Sequence, residues 1–98
     1  MIEVRQTRLF AKWFNGLNDR NAKSRIQARI DRLKLGNFGD VSPVGEGVSE
    51  LRIHYGPGSR VYFIKQQDTV VILLSGGDKS SQKFDIRKAK QLAKQLEN

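Results

Sequence analysis

The segment TVVILLSGG, residues 69–77, has an unbroken apolar centre in VVILL. That centre is far too short to cross a bilayer, which takes about 20 residues. A strand wetted on one face alternates apolar and polar side chains. A continuous run instead fits a central strand covered on both faces. The rest of the chain therefore has to supply a sheet around these residues, and its 98 residues leave room for one domain with a modest core.

The other elements follow from changes of hydrophobic period. IEVRQ (2–6) alternates, with Ile2, Val4 and Gln6 on one side, and reads as a short strand. Thr7 is placed to cap a helix in which Phe10, Trp13, Phe14 and Leu17 form one apolar stripe, so these aromatics are core. Asn18 or Asp19 caps a second helix, with Ala22, Ile26, Ile30 and Leu33 as its stripe and Gly36 as its stop. Helices joined so closely are expected to form an antiparallel helical hairpin. DVSPV (40–44) reads as an edge strand because Pro43 cannot donate to a ladder, and VSELRIHY (48–55) and SRVYFIK (59–65) read as two further strands. Ile86, Ala89, Leu92, Ala93 and Leu96 then mark a C-terminal helix capped by Ser80 or Ser81.

The order β-α-α-β-β-β-β-α predicts an α+β fold: a small, mostly antiparallel sheet packed on the N-terminal helical hairpin. The second face of the sheet is partly open, or is covered by the last helix. The glycines of SGGDKSS (75–81) let the chain leave the sheet and enter that helix, and the segment lacks the spacing of a Walker motif.

Charge narrows the partners. Eighteen Lys and Arg against ten Asp and Glu give +8, which favours polyanions such as RNA, DNA or an acidic protein. With no cysteine, disulfides, thiolate catalysis and Cys-based zinc sites are excluded, and a single histidine excludes a multi-histidine metal site within one chain. No metal and no cofactor are expected. MIEVRQTRLF lacks the apolar core of a signal peptide, so the expected setting is cytoplasmic, with no membrane partner.

The most informative stretch is ELRIHYGPGSRVYF, residues 50–63. Leu51, Ile53 and Tyr55 alternate with Glu50, Arg52 and His54 on the first strand, and Val61 and Phe63 alternate with Arg60 and Tyr62 on the second. A four-residue loop would set His54 against Val61 and Arg52 against Phe63, mixing charge with core. An odd-numbered loop collects Leu51, Ile53, Val61 and Phe63 on one face, and is expected to place His54 opposite Arg60 and Arg52 opposite Tyr62. Burial of unpaired charge is costly, so the odd register is the reading adopted. Gly56 and Gly58, flanking Pro57, supply the positive φ of a bulged turn.

Arg52, His54, Arg60 and Tyr62 then share a surface where the cations repel one another unless an anion is present, and Lys79 lies at the same rim if the apolar strand neighbours the hairpin. A metal-free ribonuclease needs a group to take the 2′-hydroxyl proton, cations to hold the phosphorane, and an acid for the leaving 5′-oxygen. His54 suits the proton transfer, and Arg52 and Arg60 suit the phosphate. Tyr62 offers a base-stacking surface, whereas Tyr55 falls on the apolar face. The competing reading is structural: lone histidines on strands are often structural, and Glu50 is available to pair with an arginine. The second helix adds Arg25, Arg29 and Arg32, a solvated face or, with Arg87, Lys88, Lys90 and Lys94, a surface for an RNA backbone.

ELRIHYGPGSRVYF, VVILLSGGDKSSQ and DIRKAKQLA together resemble the addiction-module killer proteins of the RelE/HigB-like toxin superfamily, over nearly the whole chain. The resemblance implies one toxin domain over residues 1–98, a type II toxin–antitoxin module, and ribosome-dependent mRNA cleavage. It also implies a cognate antitoxin, with mRNA and the ribosome as partners. It assigns the chemistry to Arg52, His54, Arg60 and Lys79. Many relatives carry a tyrosine or histidine near the C-terminus, and this chain has neither after Lys79. The alternative is a non-enzymatic basic module that binds RNA or an antitoxin with the same fold. A third reading is a toxin that acts on another component of translation.

Overall fold

The computed structural model describes residues 1–97. The elements run β1 (Glu3–Gln6), α1 (Arg8–Asn15), α2 (Arg20–Lys34), β2 (Val41–Gly45), β3 (Val48–Ile53), β4 (Ser59–Gln66) and β5 (Val70–Gly77), then a 3₁₀ turn (Lys79–Ser81) and α3 (Gln82–Glu97). This is the expected α+β order. The five strands lie in the order β1-β5-β4-β3-β2, antiparallel except for the parallel β1–β5 pair.

The caps explain where the helices start. The Thr7 side chain accepts from the Phe10 N–H and donates to the Leu74 carbonyl, so one hydroxyl both starts α1 and fastens it to β5. Asp19 caps α2 by accepting from the N–H groups of Asn21 and Ala22. A short 3₁₀ turn precedes the third helix. Asp78 accepts from the Ser80 N–H and starts that turn, and α3 begins at Gln82, directly after Ser81.

The apolar run behaves as predicted, with both faces of β5 covered. On one face Val71 and Leu73 join Phe10, Ile26, Ile30 and Leu33 from α1 and α2 and Leu51, Ile53, Val61 and Phe63 from the hairpin. On the other, Ile72 and Leu74 pack with Val48, Tyr62, Ile64, Ala89 and Ala93, so α3 covers the face that could have stayed open. Tyr62 is completely buried there, which corrects its expected place on an RNA-facing surface.

A bulge in β5 sets the geometry of one end of the sheet. Tyr62 pairs with Ser75 but Phe63 pairs with Leu73, so Leu74 is an extra residue that reverses the alternation beyond it. Gly76 therefore faces α1 and Gly77 faces α3. A Cβ on Gly76 would overlap the Trp13 ring, and one on Gly77 would overlap the Asp85 carboxylate. These glycines lie within the strand and allow close packing on opposite faces, rather than releasing the chain from the sheet.

Candidate functional site

The β3–β4 register decides which side chains meet. Arg52 pairs with Arg60, Glu50 with Tyr62, Leu51 with Val61 and Ile53 with Ser59. The odd-loop face assignment is correct, because Arg52 and Arg60 project from the same face and Leu51, Ile53, Val61 and Phe63 share the other. The cross-strand pairs, however, lie two residues from those expected. Strand β3 stops at Ile53, so His54 and Tyr55 belong to the connection and His54 is not opposite Arg60. The turn is closed by the Gly58 N–H donating to the Tyr55 carbonyl, with Gly56 and Gly58 at φ of 55° and 78°.

An open pocket of about 670 Å³ lies at this end of the sheet, lined by residues 54–58 with Arg60 and Lys79. The structure thus brings together three of the four expected catalytic residues: His54, Arg60 and Lys79. A hydrogen bond from the Lys79 N–H to the Pro57 carbonyl holds the start of the 3₁₀ turn against the hairpin tip. Lys79 is exposed and has no ion-pair partner among the described residues.

Arg52 and Arg60 are not the bare, mutually repelling pair that was expected, because each has its own carboxylate. Arg52 Nη2 donates to Asp40 at 2.9 Å. Arg60 Nε lies 3.5 Å from Glu50 Oε2, and its Nη1 donates to the Gly58 carbonyl at 2.8 Å. The Arg60 Nε is buried without a well-formed hydrogen bond, so the Glu50 interaction is chiefly charge–charge. Glu50 is itself 3% exposed and accepts from the Tyr62 hydroxyl and from Gln82 Nε2. Burial, reinforced by the Glu50 carboxylate, pushes the Tyr62 hydroxyl well above the usual phenol range.

Asp40 joins Arg52 to the histidine. One carboxylate oxygen accepts from Arg52 and the other bonds His54 Nε2. The His54 contact, and then that of Arg52, holds Asp40 below the usual carboxylate range. The imidazole is largely exposed and keeps Nδ1 for another partner. Arg29 places this segment, since its guanidinium donates to the carbonyls of Arg52, Phe38 and Asp40. Burial, followed by the nearby Arg32, lowers its pKa.

The three arginines expected to bind RNA therefore separate. Arg29 is turned inward on backbone carbonyls and is not a free backbone contact. Arg25 stacks over Tyr55 at 4.5 Å, which carries the basic face of α2 to the rim of the pocket. Arg32 is exposed on the same helix. Sequence reasoning missed Asp40 and Gln82. Asp40 was detectable only through the β2–β3 register, in which Val41 pairs with Leu51 and the preceding residue falls beside Arg52. Among the described residues no group of three or more His, Asp or Glu side chains is arranged to hold a metal ion. No helix among them is long and apolar enough to cross a membrane.

Residues 12–97 match the family of phage-derived Gp49-like proteins (DUF891). The chain belongs to that family. Gp49-like proteins are toxins associated with toxin–antitoxin modules, so membership implies an antitoxin partner. The chain is also similar to an uncharacterized protein of Haemophilus influenzae, 50% identical over 95 residues that make up 97% of this chain and 96% of the relative.

Proposed function

We propose that this Gp49-like protein is the toxin of a type II module and a metal-free, ribosome-dependent mRNA endoribonuclease of the RelE/HigB kind. In this reading it is one domain over residues 1–98, acts in the cytoplasm and is silenced by its cognate antitoxin. The observation that carries the reading is the convergence of His54, Arg60 and Lys79 on one open pocket, with the histidine anchored to a carboxylate.

The chemistry follows from those groups. Asp40 on Nε2 orients the imidazole, and Nδ1 takes the proton from the 2′-hydroxyl. The 2′-oxygen attacks phosphorus, and the bond to the 5′-oxygen breaks. Arg60 and Lys79 face the phosphoryl oxygens as their charge builds, and the Lys79 ammonium gives a proton to the leaving 5′-oxygen. The products are a 2′,3′-cyclic phosphate and a 5′-hydroxyl. Arg52 acts through Asp40 rather than on phosphate directly, because its Nη2 is already bonded to that carboxylate. Arg25 and Arg32 lie along the approach for the RNA backbone.

The test maps 5′ ends on translated mRNA. New ends are expected with the wild type, lowered about 100-fold or more in Arg60→Ala and His54→Ala, the loss typical of removing a transition-state donor or a general base. Unchanged cleavage in both variants removes the assignment. The internal neutralisation of Arg52 and Arg60 favours one rival, a module of the same fold that binds RNA or antitoxin without cutting. That protein yields no new ends.

A further inference from the structure

A second cavity, of about 180 Å³, lies on the other side of the hairpin tip. Its apolar walls are Trp13, Leu17, Ala22 and Pro57, and Asn18, Asp19 and Asp78 lie at its polar edge. Pro57 is shared with the cationic pocket, and Asp78 is the chain neighbour of Lys79. The two cavities thus differ in chemistry across a single residue. One is cationic and open. The other is lined by apolar side chains, with an acidic edge that repels phosphate and attracts hydrogen-bond donors.

That contrast matches the two halves of a nucleotide. We propose that the Trp13–Pro57 cavity is a nucleobase subsite, selective for guanine, for the nucleotide whose 3′-phosphate occupies the cationic pocket. The subsite deepens the ribonuclease reading and rests on it. Trp13 and Pro57 are the stacking walls, and the Trp13 ring is held from behind by Gly76, where no side chain displaces it. The Asp78 carboxylate is the acceptor for the paired N1–H and N2–H donors of guanine, which no other base presents together. Asp78 Oδ1 accepts from the Ser80 N–H and hydroxyl, so Oδ2 is the oxygen that meets the base. Asp78 is favoured over Asp19, whose Oδ1 likewise caps a helix, because it adjoins Lys79 of the cationic pocket. The hydrogen bonds from Ser80 keep Asp78 below the usual carboxylate range, so it remains an acceptor at neutral pH.

Trp13 is the only tryptophan in the chain, so its fluorescence reports on the cavity directly. The protein is titrated with 3′-GMP, 3′-AMP, 3′-CMP and 3′-UMP, and separately with inorganic phosphate in competition with 3′-GMP. The expected result is a fluorescence change with 3′-GMP at an affinity about 5- to 150-fold above the other three, the range of one good paired contact. Asp78→Asn, which keeps a side-chain oxygen for the Ser80 cap, is expected to erase that preference without weakening competition by phosphate. Equal responses to all four nucleotides, or a guanine preference that survives Asp78→Asn, overturns the subsite. Selective binding of 3′-GMP by a protein that cuts no mRNA defeats the ribonuclease reading and leaves the subsite standing. Cleavage without base preference, together with a silent Trp13, defeats the subsite alone.

Discussion

Glu50→Ala isolates the contact on which the geometry of the pocket depends. The Glu50 carboxylate is buried, 3.5 Å from Arg60 Nε and 3.0 and 2.9 Å from its donors on Tyr62 and Gln82. At an effective dielectric of about 20, a charge pair at that separation attracts by about 4–5 kcal/mol, much of it offset by desolvation. Removing one partner is different, because the other stays behind. Arg60 keeps its charge with its side chain only 14% exposed, and two donors lose a charged acceptor. The expected cost is about 3–5 kcal/mol, the usual figure for stranding one member of a buried pair. Urea unfolding followed by circular dichroism measures it. The double variant Glu50→Ala/Arg60→Ala strands no charge and is expected to be less destabilised than the sum of the two singles by about 1–3 kcal/mol. A Glu50→Ala cost under about 1 kcal/mol, or strict additivity in the cycle, refutes the claim that Glu50 holds Arg60.

Three further outcomes are expected. The folded-state pKa of Asp40 is depressed by His54 and Arg52, so its contribution is present above the unfolded-state value and is lost as pH falls through the folded one. Asp40→Asn should therefore be less stable than the wild type at neutral pH, with the gap closing below about pH 4, as read from unfolding midpoints across pH. Gly77→Ala drives a methyl group into the Ser81–Asp85 hydrogen bond and should cost about 3 kcal/mol or more from overpacking and a lost charged hydrogen bond, measured by urea titration. Arg29→Met keeps most of the side-chain volume but removes the donors to the Phe38, Asp40 and Arg52 carbonyls. It should lower mRNA cleavage while leaving most RNA-backbone affinity in place, because Arg29 acts on the Asp40 segment rather than on the ligand.

Periodicity carried most of the fold. The run at 70–74 demanded cover on both faces, and its two faces receive α1 and α2 on one side and α3 on the other. The parity of the hairpin was also legible, because only one parity keeps Leu51, Ile53, Val61 and Phe63 together. Cross-strand partners were not, since parity leaves the register free to shift by two residues. The connection 54–58 took up His54 and Tyr55, which alternation alone had assigned to a strand. The bulge at Leu74 was invisible in an all-apolar run, where no polar residue marks the reversal, so the packing role of Gly76 and Gly77 was missed. Tyr62 was misplaced because a tyrosine on a charged face reads as solvent-facing until a helix is known to lie above it. Asp40 belongs to a segment positioned by Arg29 from another element, a contact that no local pattern encodes.

The parallel β1–β5 pair fixes an order of events during synthesis. β1 is made first, yet among the described residues its neighbour in the sheet is β5, the strand made latest of the five. A nascent chain that has reached Gln66 has its hairpin but lacks the partner for β1, one flank of β4, and both Lys79 and Gln82. Fragments of this protein are therefore left with an unsatisfied sheet edge and half a pocket. A competent molecule exists only once synthesis has passed Gln82.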